Sequence, residues 1–162
     1  MVTDAITSKV RLSNYACAIT WIINVVLIVC CVLTSGETLG FWSVGSILIC
    51  LLIVGLLFGP TRIIADYDYV IVKSRFLKYR IAVSDIESVE LFQPGKAAYR
   101  LCASGGYFGY WGLFREKDVG KYVGYFGNIS DCFLIKTKNG DKYVLGCNNP
   151  AEMVTYIHSL IM

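Results

Sequence analysis

Two long uncharged stretches near the start of the chain differ from everything that follows. They cover residues 15–34 and 41–59, with a short connector at residues 35–40 between them. Each stretch has about the 20 residues that an α-helix needs to cross the hydrocarbon core of a bilayer. The pattern predicts a transmembrane helical hairpin. A cleaved signal peptide is the competing interpretation, because Lys9 and Arg11 precede the first stretch, but the stretch is long and a second one follows directly.

The cations close to the two spans predict the orientation of the hairpin. Lys9 and Arg11 precede the first span, whereas the connector carries only an acid, Glu37. Five cations follow the second span: Arg62, Lys73, Arg75, Lys78 and Arg80. Because Lys and Arg near span ends are held in the cytoplasm, we expect residues 1–14 and 61–162 to be cytoplasmic and residues 35–40 to be external.

From Asp66 onward the apolar positions alternate with a period near two, which is typical of antiparallel β-structure. Seven strands are predicted, at residues 68–74, 77–83, 86–92, 98–103, 121–126, 131–137 and 141–146. Asn139 and Gly140 predict a type I′ hairpin turn between the last two strands, because both residues tolerate positive φ.

The last segment changes to helical spacing. Asn149 is a candidate N-cap, Pro150 suits the first helical position, and Glu152 lies where a capping box needs an acceptor. The apolar face consists of Met153, Val154, Ile157, Leu160 and Ile161. We therefore expect a seven-stranded antiparallel sheet, partly closed into a barrel and capped by one C-terminal amphipathic helix.

Four segments of this region resemble the bacterial pleckstrin-homology-like domain family of small membrane proteins. They are residues 80–89 (RIAVSDIESV), 105–114 (GGYFGYWGLF), 120–122 (GKY) and 148–154 (NNPAEMV). The resemblance implies a mainly-β PH-like fold behind a two-helix membrane hairpin, in a multi-pass protein of the bacterial cytoplasmic membrane. Its motifs are structural in type and imply no catalytic residues.

Catalytic and metal-binding signals are weak. His158 is the only histidine and lies beside the apolar face of the last helix. Cys102, Cys132 and Cys147 lack the spacing of a metal site, and no hydrolase, metalloprotease or nucleotide-binding motif is present. The net charge of +3 is too small for a nucleic-acid-binding face. We expect no enzyme activity, no metal or other cofactor, and no nucleic-acid partner.

A basic hairpin follows the second span. Lys73, Arg75, Lys78 and Arg80 lie within eight residues that contain no acid, and the spacing is similar to the basic first hairpin with which eukaryotic PH domains bind inositol lipids. Near an anionic leaflet each charge contributes about 1 kcal/mol of attraction. These cations therefore either bind lipid headgroups or only set the topology.

A glycine-aromatic segment forms the second candidate site. Gly106, Gly109 and Gly112 recur every third residue, and we expect them to adopt positive φ or to allow close backbone approach. The rings between them belong to Tyr107, Phe108, Tyr110 and Trp111. One interpretation is a long loop whose rings close one end of the barrel. The other is that exposed rings enter the membrane interface or bind a partner.

Small and polar residues form a narrow stripe on each span, with Asn24 in the first and Ser46 in the second. We expect these two residues to lie at the contact between the helices, with Asn24 forming a hydrogen bond across it. Together the patterns favour a non-enzymatic membrane protein whose PH-like domain binds anionic lipid, a protein partner or a second copy. The alternative is an accessory subunit of a transport or export complex, which would be contacted through the hairpin.

Overall fold

A computed structural model describes residues 5–95 and 98–161 of the chain. Three α-helices lie in these ranges, namely α1 (Asn14–Leu33), α2 (Thr38–Phe58) and α3 (Pro150–Ile161). The strands are β1 (Ile6–Lys9), β2 (Pro60–Ala65), β3 (Tyr69–Ser74), β4 (Lys78–Ala82), β5 (Ile86–Leu91), β6 (Tyr99–Gly106), β7 (Gly109–Glu116), β8 (Gly120–Phe126), β9 (Cys132–Thr137) and β10 (Lys142–Gly146).

The prediction of two long apolar helices is confirmed. α1 begins where Ser13 Oγ accepts a hydrogen bond from the Ala16 amide at 3.1 Å. Each helix is long and apolar enough to cross a membrane, and each buries a single residue, Ala16 in α1 and Gly55 in α2. A helix in a soluble core would bury a whole apolar face. The apolar surface of both helices is therefore available to lipid, as in a membrane protein.

The strands form two sheets that do not close into a barrel within the described residues. One sheet has the order β1-β2-β3-β4, and the other has the order β5-β9-β10-β8-β7-β6. All pairs are antiparallel except β8 with β10, which is parallel. The predicted fold class is confirmed as a partly open PH-like domain with a C-terminal helix. Three strands, β1, β2 and β7, add to the seven that the alternation predicted.

β1 extends the first sheet with residues from before the helix pair α1 and α2. It pairs with β2 in a register that runs from Ile6 opposite Ala65 to Lys9 opposite Arg62. The two flanks of the helix pair thus lie on the same side of it. A fragment that starts at residue 61 would lack this edge strand.

The glycine-aromatic segment is a hairpin and not the long loop that was expected. β6 and β7 pair along their length, and Gly106 lies opposite Gly109 at the end. The expected positive φ is confirmed at Gly106 (134°), Gly109 (99°) and Gly112 (117°). Glycine is rare inside strands. The repeated glycines therefore hid the alternation of apolar and polar residues by which β7 would have been predicted.

The core lies between the two sheets and under α3. It includes Ile63 and Val72 of the first sheet and Phe133 and Leu145 of the second. The predicted face of α3 is confirmed: Met153 and Ile157 are buried, and the other members are partly buried against this core. The helix begins at Pro150 as expected, where Asn149 Nδ2 donates to Glu152 Oε2 at 3.2 Å.

The predicted hairpin between β9 and β10 is confirmed, but its predicted turn type is wrong. Gly140 has a φ of 85°, whereas Asn139 does not have positive φ. The Gly140 amide donates to Thr137 O at 2.9 Å, and the Thr137 amide donates to Asp141 O. This is a three-residue loop with glycine in the left-handed position, which is the next most common hairpin connection after the two-residue turns.

Candidate functional site

Four cations form a row across the outer face of the first sheet. The backbone register places Lys9 opposite Arg62, Arg62 opposite Lys73, and Lys73 opposite Lys78. Since neighbouring strands lie about 4.8 Å apart, the row is about 14 Å long. Lys73 is half-buried and the other three are exposed. We call Lys9, Arg62, Lys73 and Lys78 the cationic row.

The cationic row has no anionic partner in the described part of the chain. The one ion pair found there joins Lys136 to Glu90 on the second sheet, at 2.7 Å. Like charges directly opposite each other in a sheet destabilise it. The row therefore destabilises the fold, and an external anion bound to it would weaken the repulsion between its charges.

Two of the predicted site residues lie beside the row. Arg80 is on the same outer face, opposite Ile71, and its guanidinium carbon lies 5.9 Å from the centre of the Tyr69 ring, in a cation–π contact. Arg75 lies in the turn between β3 and β4, beside Leu12, Gly55 and Phe108 in a cleft at the end of α2. Lys73, Lys78 and Arg80 of the basic hairpin thus share one face, which β1 and β2 enlarge with Lys9 and Arg62, whereas Arg75 lies in the cleft.

The cationic row lies close to the end of the membrane helix. Arg62 follows Phe58, the last residue of α2, by four residues, which is at most about 13 Å of extended chain. Ser74 Oγ also donates to Phe58 O at 3.2 Å, which holds the end of β3 against α2. The row is therefore near the headgroup layer, where the surface potential of an anionic leaflet decays over about 8 to 10 Å.

The end of the β6–β7 hairpin contacts the helix pair where each helix has its buried residue. We call Gly106, Tyr107, Phe108 and Gly109 the glycine-aromatic tip. A Cβ at Gly106 would lie 3.7 Å from the Ala16 Cα, and a Cβ at Gly55 would overlap the Phe108 ring. Phe108 has a φ of 54°, a strained value for a side chain other than glycine. Packing against α2 holds it there.

Hydrogen bonds connect the glycine-aromatic tip to α1. The Phe108 amide donates to Thr20 Oγ1 at 2.9 Å, and the Thr20 hydroxyl donates to Ala16 O at 2.8 Å. The Tyr107 hydroxyl donates to Asn24 Oδ1 at 3.3 Å. Burial raises the pKa of Tyr107 above its usual value. The phenol is therefore a neutral donor at physiological pH.

The remaining predicted rings have different surroundings. Tyr110 is 7% exposed and stacks on Phe126 with ring centres 5.1 Å apart, so it belongs to the core and is not available to a partner. Trp111 is half-buried, stacks on Phe58 at 5.3 Å, and donates through Nε1 to Tyr107 O. The rings therefore attach the hairpin to α2 as well as filling the domain.

The predicted hydrogen bond from Asn24 to the second helix is replaced by two others. Asn24 Nδ2 donates to Thr20 O at 2.7 Å, and its Oδ1 accepts from Tyr107. Ser46 is exposed and donates to Ser43 O within α2. The structure thus assigns Asn24 to the contact between α1 and the β-rich domain.

Sequence reasoning missed Thr20, Gly55 and Arg62 as site residues. Thr20 is a polar residue within the first span, one turn before Asn24, but its partner is distant in the chain. Gly55 interrupts an apolar span without a turn to explain it, and this signal predicts a close packing contact. Arg62 was noted only for topology, because β2 was not predicted as a strand.

Titratable groups in the domain are dispersed. His158, the only histidine, is exposed on α3. Within residues 5–95 and 98–161, no three His, Cys, Asp or Glu side chains are grouped to hold a metal ion. Burial raises the pKa of the Cys132 thiol, with the nearby Asp131 charge adding to the effect, so this thiol is a protonated core residue.

Comparison with known proteins identifies the β-rich region. Residues 61–161 match the family model described as Bacterial PH domain, which confirms the resemblance noted in the sequence. The match covers more than half of the chain and excludes β1 and the helix pair. No curated protein and no solved structure matches the chain.

Proposed function

Because this chain belongs to the bacterial PH domain family and carries two helices fit to span a membrane, we propose that it is a non-enzymatic, membrane-anchored binding module. Its ligand is the anionic headgroup layer of the leaflet beside the domain. The observation that carries the proposal is the cationic row next to the end of α2, four cations that have no carboxylate partner among residues 5–95 and 98–161.

Electrostatics favours this ligand over a soluble anion. Each cation near an anionic leaflet contributes about 1 kcal/mol before screening, and a row binds several headgroups at once. The helix pair keeps the domain at the bilayer, so weak individual contacts suffice through high effective concentration.

The proposed compartment is the cytoplasm. β1 and β2 place both flanks of the helix pair on one side, and that side carries Lys9, Arg11 and Arg62. The positive-inside rule assigns such a side to the cytoplasm, where anionic lipid would face the row.

The test compares lipid selectivity in two variants with equal charge changes. Full-length protein is reconstituted into bilayers of phosphatidylcholine and phosphatidylglycerol. A spin-labelled form of each lipid then reports the association constant of that lipid at the protein surface. Lys73→Gln/Lys78→Gln should reduce the preference for phosphatidylglycerol severalfold, since it removes half of the cationic row. Salt should reduce the preference of the unmodified protein in the same direction.

The matched control is Lys117→Gln/Lys121→Gln, which removes two exposed cations from the β7–β8 turn region. This variant should keep the preference for phosphatidylglycerol. An equal loss in both variants would contradict the proposal, because it would show an effect of net charge and not of the row.

A second candidate function is that of an accessory subunit contacted through the helix pair. The exposure of Ser43 and Ser46 on α2 favours it, because small polar residues let membrane helices approach closely. Ser46→Leu should then reduce the recovery of a membrane partner in mild detergent and leave lipid selectivity unchanged. Unchanged recovery in this variant would argue against the second candidate.

A further inference from the structure

β6 is an edge strand of the second sheet, and it lies farther along the membrane helix α1 than its neighbour β7. A Cβ at Gly109, where β7 begins, would lie 3.1 Å from the side chain of Leu12, which precedes α1. A Cβ at Gly106, where β6 ends, would lie 3.7 Å from the Ile19 Cβ, in the second turn of α1. The step from β7 to β6 therefore runs along the helix axis, and β6 is the edge of the sheet nearer to the membrane.

The contacts of this edge fall within the length of helix that would cross the bilayer. α1 has 20 residues and α2 has 21, so each is about 30 Å long, which is the full thickness of the hydrocarbon core. Thr20, which accepts a hydrogen bond from the Phe108 amide, is about 9 Å from the start of α1. Elements that bind a membrane interface are buried by about 5 to 10 Å. The end of the β6–β7 hairpin therefore has the depth of an interfacial element.

The side chains of β6 suit a membrane interface better than water. Residues 101–114 contain no charged side chain, and Leu101 and Cys102 are exposed on β6. Tyr99 and Arg100, also exposed, precede them. Tyr is enriched at membrane–water boundaries, and an Arg side chain can lie on apolar surface with its guanidinium in the headgroup layer. Edge strands that face water are usually protected by charged residues or Pro, and residues 101–106 contain neither.

Backbone polar groups at the glycine-aromatic tip have partners inside the protein. The Phe108 amide donates to Thr20 Oγ1 at 2.9 Å. The Tyr107 carbonyl accepts from Trp111 Nε1 at 3.0 Å and from Ser104 Oγ at 2.9 Å. Such partners are needed where water is scarce. The outer edge of β6 pairs with no strand of the described residues, so it needs water or lipid oxygens, and this limits the hairpin to the interfacial layer.

We propose that β6 and the glycine-aromatic tip lie in the interfacial layer of the bilayer, with the exposed edge of β6 against lipid. The partner is the lipid surface itself, because the edge faces along α1 towards the acyl chains, where a strand of another protein would have to lie within the leaflet. The inference rests on the membrane anchoring in the proposed function, but not on the cationic row. It depends on apolar contact, so it holds in neutral lipid and at high salt.

Quenching of a fluorophore on Cys102 tests this placement in the full-length protein. Cys102 is exposed, whereas Cys132 and Cys147 are buried and should not react with a maleimide dye. The four cysteines in the two membrane helices are replaced by alanine, at Cys17, Cys30, Cys31 and Cys50. The labelled protein is reconstituted into phosphatidylcholine bilayers. Phosphatidylcholine with a spin label near the start of an acyl chain is the lipid-phase quencher, and iodide is the aqueous quencher.

The matched control carries the fluorophore on Asn139→Cys, in the same protein with Cys102→Ala added. Asn139 is exposed in the β9–β10 turn, at least three strands from β6 in the sheet. The fluorophore on Cys102 should be quenched severalfold more by the spin-labelled lipid, and severalfold less by iodide, than the control. Equal iodide quenching at the two positions would overturn the proposal. Protection of Cys102 from both quenchers would also overturn it, because protein and not lipid would then cover the edge.

A charge added to the edge gives a second test. Leu101 on β6 and Leu91 on β5, the opposite edge strand, are 48% and 59% exposed. Leu101→Glu should increase iodide quenching at Cys102, because a carboxylate moves the edge towards water, and Leu91→Glu should not. A Leu101→Glu protein that is folded by thermal unfolding and has unchanged quenching would overturn the proposal. Lys73→Gln/Lys78→Gln should leave quenching at Cys102 unchanged, so a failure of the cationic row and a failure of this placement give different results.

Discussion

The two sheets meet the membrane region in different ways. The second sheet extends the glycine-aromatic tip to α1 and α2, where Phe108 packs on Gly55 and bonds to Thr20. The first sheet presents the cationic row, which has no partner in the described residues. One contact depends on packing and short hydrogen bonds, and the other on charge.

The two contacts should therefore have different roles: the tip attaches the domain to the helix pair, and the row is proposed to bind lipid. The attraction between packed atoms weakens within a fraction of an ångström. The tip therefore fixes the position of the domain relative to the helix pair. Charge acts over about 8 to 10 Å and is screened by salt, so under the proposed function the row responds to the lipid composition. Changes at the tip should therefore alter stability, and changes at the row should alter lipid preference.

The largest effect on stability is expected from Gly55→Leu. The new side chain would overlap the Phe108 ring and displace the tip, at a cost of about 3 kcal/mol, the upper end for overpacking. Thermal unfolding of the full-length protein in detergent measures it. Gly45→Leu is the control, because a Cβ there meets only Cys31 Sγ at 4.0 Å. Equal losses in both variants would contradict the tip contact.

Replacement of Phe108 separates packing from backbone strain. Phe108→Ala removes the ring but keeps a Cβ at a φ of 54°. We expect a loss of about 2 kcal/mol, less than the about 3 to 5 kcal/mol of a fully buried ring, because Phe108 is half-buried. Phe108→Gly removes the strain as well and should be about 1 kcal/mol more stable than Phe108→Ala. The reverse order of unfolding temperatures would show that the left-handed backbone is not retained.

The polar bonds to α1 should contribute less. Thr20→Val leaves the Phe108 amide without its acceptor at 2.9 Å. This should cost about 1 kcal/mol, the lower end for an unsatisfied donor, because the bond is only partly buried. Tyr107→Phe removes the longer bond to Asn24 and should cost under about 1 kcal/mol. A larger loss for Tyr107→Phe than for Thr20→Val would reverse the assigned importance of the two bonds.

The smallest effect on stability is expected at the cationic row. Lys73→Gln/Lys78→Gln removes two like charges that lie opposite each other, so the unfolding temperature should stay the same or rise slightly. The same protein should show a severalfold weaker preference for anionic lipid. A clear fall in unfolding temperature would mean that these cations have stabilising partners in the protein.

Patterns that depend on near neighbours in the chain were predictable. The two apolar helices, the hairpin at Asn139 and Gly140, and the face of α3 each follow from residues within one element. The type of turn at Asn139 could not be predicted, because two-residue and three-residue hairpin loops use the same residue types. Lys73 and Lys78 were identified because one short turn joins their strands.

Contacts between distant segments were not predictable. β1 pairs with a strand more than fifty residues later, and nothing in residues 6–9 marks that partner. Thr20 and Phe108 are 88 residues apart. A polar residue in an apolar helix indicates that a partner exists, and it does not say which one.

The sequence by itself determined which segments are apolar enough for lipid and which form helices or strands. The spacing of apolar residues and the turn residues carry this information, and both act locally. Only the tertiary structure decided that Lys9 and Arg62 join Lys73 and Lys78 in one row, and that Phe108 rests on Gly55. Strand order and side-chain packing depend on which surfaces meet, and that choice is made by the free energy of the whole fold.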